Sequence, residues 1–71
     1  MNNRNLQRAI RCDAAITKYG DDLPESNLID LLTDAMHWCP LNDQDFHTLL
    51  HMAMRHYVAE LREPESEGGE P

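Results

Sequence analysis

Apolar side chains recur every three or four residues in three stretches of this chain, a spacing typical of amphipathic helices. It predicts helices at about residues 6–19, 28–38 and 43–61. The second stretch has the broadest apolar arc, opposite its polar residues, so we expect it to be the central helix. With no strand-like alternation, the pattern predicts an all-α fold, a small three-helix bundle. The side chains expected near its centre are Leu31, Leu32, Ala35, Phe46, Leu50 and Tyr57.

Local signals predict where these helices begin and end. Gly20 follows the first stretch, at a position where helices often end in a left-handed residue. Ser26 or Asn27 is expected to cap the second helix, because short polar side chains bond the free N–H groups of a first turn. Pro40 is expected to stop that helix, and Asn42 to cap the third.

The final residues, 63–71, contain no apolar side chain and four glutamates. This composition predicts a disordered acidic tail behind a single domain of residues 1–62. A domain of this size buries only about 60% of the surface that its unfolded chain exposes, and its core contributes roughly 3–5 kcal/mol. We therefore expect dimerisation or partner binding to add stability.

Charge is unevenly distributed along the chain, whose formal net charge is −7. Residues 1–20 carry +3, residues 21–45 carry −7 without one Lys or Arg, residues 46–62 carry +1 and the tail carries −4. A field of this sign attracts basic surfaces and repels nucleic acid, so we predict a protein partner with a basic surface and no direct nucleic-acid binding. The residues predicted to meet that partner are Asp21, Asp22, Glu25, Asp30 and Asp34. The alternative is an ordinary solvated acidic face.

Candidate catalytic and metal-binding residues are few. His47 and His51 stand four residues apart and could share a metal on one helix face, but two ligands make only a weak candidate site. Asp30 and Asp34 have the same spacing, yet an exposed pair lacks the dry cleft that raises a carboxyl pKa. No nucleophile triad, phosphate-binding loop or cofactor motif is present in the sequence. We therefore predict no enzymatic activity, no bound metal and no cofactor.

Five further side chains carry specific expectations. Cys12 and Cys39 fall on the apolar sides of their helices, which favours buried free thiols, although a disulfide between them stays open. Asp13 projects into the apolar stripe of the first helix and would need a buried partner. Met52 and Val58 are expected to face outward on the third helix and to mark a helix contact or a site of self-association.

The sequence also bears on where the protein is found. Its first residues lack the apolar stretch of a signal peptide, and no apolar run approaches the length of a membrane span. We expect a cytoplasmic protein that does not enter a membrane.

Residues 27–39 (NLIDLLTDAMHWC), followed by Asp45 and Phe46 and by residues 56–61 (HYVAEL), resemble a group of small, uncharacterised acidic proteins of bacterial genomes and mobile elements. The resemblance covers roughly residues 6–62 and rests on core-type residues. It therefore implies a helical fold and carries over no catalytic or binding residue. In size and charge the chain is also similar to phage-encoded inhibitors, including anti-CRISPR proteins and DNA mimics.

These observations lead to two hypotheses. In the first, the chain is a small acidic module that docks on a basic surface of a partner protein. Its sharpest form is a mobile-element inhibitor that imitates a phosphate backbone in a nucleic-acid-binding groove. In the alternative, the chain is a structural or self-associating helical module, such as a homodimer, whose acids only keep it soluble.

Overall fold

The structure is a computed structural model that describes residues 3–63. These residues form three helices: α1 (Asn3–Tyr19), α2 (Pro24–Leu41) and α3 (Phe46–Leu61). No strand occurs in this part of the chain, so the prediction of an all-α, three-helix fold is confirmed. The predicted tail lies outside the described residues except for Glu63, which forms ion pairs with Arg4 and Arg8.

The second helix begins earlier than predicted. Pro24 is at its first position, where the missing N–H of proline removes no helical hydrogen bond. Asn27 therefore lies inside the first turn, and the prediction that Ser26 or Asn27 caps this helix is wrong. The Asn27 amide instead donates to the carbonyl of Ile16 at 3.0 Å and to that of Gly20 at 3.1 Å.

Gly20 is needed for close packing rather than for a left-handed turn. A Cβ at this position would lie 2.9 Å from Oδ1 of Asn27, and the φ of Gly20 is outside the left-handed region. The predicted left-handed C-cap is therefore wrong. The glycine leaves room for the Asn27 side chain to reach the end of α1.

The second helix also ends later than predicted, because it continues through Pro40 to Leu41. Pro40 lies in the last turn of α2. Its missing N–H removes only one hydrogen bond there, so the helix continues for one more residue. Asn42 caps this C-terminus and not the start of α3: its backbone N–H donates to the carbonyl of Cys39 at 3.0 Å. The helix that follows is capped by Asp45, whose carboxylate accepts from the backbone N–H of Thr48 at 2.9 Å.

The turn after α2 contains the one non-glycine residue with positive φ among the described residues. Asp43 has a φ of 55°, and the next N–H, from Gln44, donates to the carbonyl of Cys39 at 2.8 Å. A left-handed residue followed by this bond is the Schellman arrangement, in which glycine is the usual residue. The backbone of Asp43 is therefore strained.

We expect Asp43→Gly to raise the free energy of unfolding by up to about 1 kcal/mol, since relief of the left-handed strain exceeds the entropy lost by glycine. Chemical denaturation of the two proteins measures the change. Asp43→Asn is the control, because it removes the same charge and keeps a side chain at this φ. Equal stabilisation by both variants would mean that charge, and not backbone strain, is responsible.

Each helix ends with an asparagine amide bonded to one of its terminal carbonyls. The three pairs are Asn27 with Ile16 at the end of α1 (3.0 Å), Asn42 with Trp38 at the end of α2 (2.9 Å), and Asn5 with Glu60 at the end of α3 (3.0 Å). Two of these bonds join different helices. They connect α1 to the start of α2 and to the end of α3.

Very little of the apolar surface is buried. Among residues 3–63, only Ile16, Asn27 and Cys39 are buried, and sixteen of the twenty large apolar side chains are exposed. The predicted core is therefore wrong in part. Of its six members, Leu31, Ala35 and Phe46 are half-buried, whereas Leu32, Leu50 and Tyr57 are exposed. The physical reason is that α2 packs mainly against α1 and meets α3 at few positions, so the apolar arcs of α2 and α3 do not cover each other.

Candidate functional site

Two of the predicted partner-binding acids lie close together on α2. Asp30 and Asp34 are one turn apart and both are exposed. The hydroxyl of Tyr19, at the end of α1, donates a hydrogen bond to Oδ2 of Asp34. This bond raises the pKa of Tyr19, and desolvation of the hydroxyl raises that pKa further. We call Asp30 and Asp34 the acidic pair.

The other predicted acids are exposed at the start of α2. Asp21 and Asp22 lie in the turn between α1 and α2, and Glu25 lies in the first turn of α2. At 3.6 residues per turn, Glu25 is about 140° around the helix from Asp30. The structure therefore does not place Glu25 on the same helix face as the acidic pair.

The basic side chains of α1 do not neutralise the acidic pair. Arg8 bonds Glu63 at 3.0 and 3.4 Å and lies 3.6 Å from Glu60, and Arg4 lies 3.9 Å from Glu63. These contacts raise the pKa of Arg8 and lower that of Glu63, chiefly through the hydrogen bond between them. Every ion pair in the described range joins α1 to the end of α3. Within residues 3–63, no ion pair therefore joins a basic side chain to an acid of α2.

An apolar stripe lies on another side of α2. Ile29, Leu32 and Met36 follow each other at helical spacing and all three are exposed. Leu32 lies about 160° around the helix from both members of the acidic pair. The second helix therefore presents acids on one side and an open apolar stripe on the other.

The third helix has no buried residue at all. Met54, Val58 and Leu61 form an exposed stripe at heptad-like spacing, which we call the α3 stripe. Met52 is exposed on a different flank, so the expectation that Met52 and Val58 face outward is confirmed. A helix that is apolar on several sides is normally buried by its surroundings. In this chain taken alone, α3 contains no buried residue.

The remaining candidates are spread over the surface. His47 and His51 are exposed, and the ring of His47 meets that of Phe46 edge-on at 6.3 Å between centroids. No cluster of three or more potential metal ligands occurs in residues 3–63. Both cysteines are free thiols: Cys39 is buried as expected, but Cys12 is exposed. Asp13 is also exposed, so the expectation that it needs a buried partner is wrong, since the α1 stripe around it is open to solvent.

Sequence reasoning missed the two polar side chains that organise this surface. The sequence predicts a cap at Asn27, whereas its side chain is buried and its amide bonds the carbonyl of Ile16. The bond between Tyr19 and Asp34 has no sequence signal, because the two residues are brought together only by the packing of α1 on α2.

Comparison with known proteins adds no assignment: the chain matches no family model, no curated protein and no solved structure. Among the described residues, no helix is long and apolar enough to cross a membrane. The site is therefore interpreted from its geometry and charge.

Proposed function

We propose that this chain is a small cytoplasmic protein-binding module that docks on a basic surface of a partner protein and catalyses no reaction. The observation that carries the proposal is the uncompensated acidic pair on α2. The ion pairs of Arg4 and Arg8 are with Glu60 and Glu63 and not with either member of the acidic pair. The acidic pair is therefore available to another molecule.

The two kinds of surface have different roles in this proposal. Exposed charges steer a partner of opposite sign and raise its association rate, whereas buried apolar contacts lengthen the life of the complex. The acidic pair supplies the first, and Trp38, exposed about 40° around the helix from Asp34, supplies the second. Both are present on the same helix.

The negative charge of the acidic pair indicates which class of protein the partner belongs to. A nucleic-acid-binding protein presents a basic groove of the kind that complements Asp30 and Asp34. In that case the chain acts as an inhibitor that occupies the groove in place of a phosphate backbone. If the chain acts in this way, duplex DNA competes with it for the same partner.

We expect the tagged chain to capture a basic protein from a cell lysate at low salt and to release it as salt rises, because exposed ion pairs are screened. Asp30→Asn combined with Asp34→Asn is expected to reduce this capture strongly, since it removes both steering charges while keeping side-chain shape. Mass spectrometry identifies the captured protein, and added duplex DNA tests competition.

The matched control is Asp13→Asn combined with Asp43→Asn, which makes the same change in net charge at two exposed positions outside the acidic pair. This control is expected to capture the same protein as the original chain. Equal loss of capture in both double variants would show that net charge alone matters. Undiminished capture by the Asp30 and Asp34 variant would contradict the role of the acidic pair.

A further inference from the structure

One side of α3 carries an open groove that contains basic side chains and no acid. Its lining residues are His51, Met54, Arg55, Val58, Ala59 and Arg62. Glu60, the one acid of α3, lies about 140–180° around the helix from the three basic members of the groove. Within residues 3–63, neither Arg55 nor Arg62 forms an ion pair. We call this surface the α3 groove.

The chain continues after α3 with a stretch of opposite charge, residues 64–71, which we call the acidic segment. It contains no Lys or Arg and three glutamates, Glu65, Glu67 and Glu70. It begins two residues after Arg62, the last residue of the α3 groove. Eight extended residues reach about 26 Å, whereas His51 and Arg62 are about 17 Å apart along the helix axis. The acidic segment is therefore long enough to reach every basic side chain of the groove.

We propose that the acidic segment folds back on α3 and that its glutamates contact Arg55 and Arg62 in the α3 groove. Single exposed ion pairs are weak. Covalent attachment, however, holds the glutamates near the groove at an effective concentration on the order of millimolar, so that weak contacts are populated. The proposal requires proximity of opposite charges and no single conformation of the acidic segment. It concerns α3 and is independent of the acidic pair on α2.

The charges of the other two helices favour the α3 groove as the place of contact. Residues 21–45 carry −7 and repel the acidic segment. On α1, Arg8 already pairs with Glu60 and Glu63, and Arg4 lies 3.9 Å from Glu63. These contacts leave less positive charge on α1, beside the end of α3, for a further acid. With the groove covered in this way, other acidic molecules are kept from it.

Paramagnetic relaxation enhancement, measured by NMR spectroscopy on the full chain, tests this contact. A nitroxide spin label is attached at position 68 of the acidic segment through the substitution Gly68→Cys. The background is Cys12→Ser, which removes the exposed native thiol and leaves the buried Cys39 in place. The label broadens the amide signals of the residues that it approaches, and so reports which helix the acidic segment visits.

At low salt, the label is expected to broaden the amide signal of Met54, in the α3 groove, more than that of Arg8 on α1. A segment without preference would reach Arg8 at least as readily, since Arg8 lies beside Glu60 and Glu63 at the end of α3. High salt is expected to remove the difference, because exposed ion pairs are screened. Equal broadening at the two positions at low salt, or stronger broadening at Arg8, would overturn the proposal.

Neutralising the acidic segment tests whether charge holds it in the groove. The labelled chain is prepared with Glu65→Gln, Glu67→Gln and Glu70→Gln combined, which keeps the length of the segment and the shape of its side chains. The preference for Met54 over Arg8 is expected to be lost in this variant, since the ion pairs can no longer form. Undiminished preference would contradict the proposal.

The groove itself is tested by two variants that remove the same charge from different helices. Arg55→Gln combined with Arg62→Gln is expected to abolish the preferential broadening at Met54. Arg11→Gln combined with Lys18→Gln removes two exposed positive charges from α1 and is expected to preserve it. Equal loss in both double variants would show that net charge alone matters and would overturn the proposal. Far-ultraviolet circular dichroism verifies that each variant keeps its helices.

Discussion

Ile16→Ala is expected to lower the free energy of unfolding by about 2–4 kcal/mol, because it removes the one large aliphatic side chain that is buried within residues 3–63. Ile16 is 8% exposed, and its carbonyl accepts a hydrogen bond from the Asn27 amide of α2. A core this small contributes roughly 3–5 kcal/mol in all. Loss of a single side chain should therefore leave the protein close to its unfolding midpoint at room temperature.

Chemical denaturation of the two proteins measures this effect. Ile10→Ala is the matched control: it makes the same substitution on the same helix, at an exposed position. We expect a change within about 0.5 kcal/mol for this control. Comparable losses in the two variants would mean that α1 is covered on both sides, contrary to the structure.

Asn27→Ala is expected to destabilise the protein by about 1–3 kcal/mol, since it takes this donor from the carbonyl of the buried Ile16. Asn27 is 3% exposed, and its amide bonds the carbonyls of Ile16 and Gly20. Water cannot readily replace that amide at a buried position. The same bonds fix α2 to the end of α1, so their loss should also loosen the packing of the two helices.

Asn42→Ala is the control for this prediction, because the Asn42 amide makes a similar bond to the carbonyl of Trp38 at an exposed position. There, water can bond the carbonyl after the substitution, and we expect a smaller loss than for Asn27. Thermal and chemical unfolding of the two variants provide the comparison. If Asn42→Ala lowers the free energy of unfolding as much as Asn27→Ala does, burial does not explain the effect at position 27.

The helical class of the fold could be predicted from the sequence, because each of the three stretches has an apolar repeat near 3.6 residues. The helix ends were less predictable. Proline is compatible with the first position of a helix, so Pro24 begins α2 where the sequence suggested a turn. At the other end, Pro40 was expected to stop α2 and instead lies within its last turn.

The core could not be predicted, because periodicity indicates which side chains favour burial and not which helices approach one another. Leu32 and Leu50 have the pattern of core residues, yet both are exposed because α2 and α3 make few contacts. The expectation that such a small domain needs additional stabilisation came from length alone.

For the candidate site, the sequence identified the acids but not their surroundings. The spacing of Asp30 and Asp34 predicts a shared helix face, which follows directly from the helical repeat. The destination of Arg8 could not be predicted, since Glu60 and Glu63 are 52 or more residues away in the sequence. That tertiary contact directs Arg8 to Glu60 and Glu63 and not to the acidic pair.

The central claim is that the acidic pair steers the chain to a basic partner. Its most direct test is the association rate constant with the captured partner, measured by stopped-flow mixing at several ionic strengths. For the original chain we expect fast association that slows steeply as salt increases. Asp30→Asn combined with Asp34→Asn should associate roughly tenfold more slowly at low salt, with a weaker salt dependence. An unchanged rate and salt dependence in that variant would contradict the account.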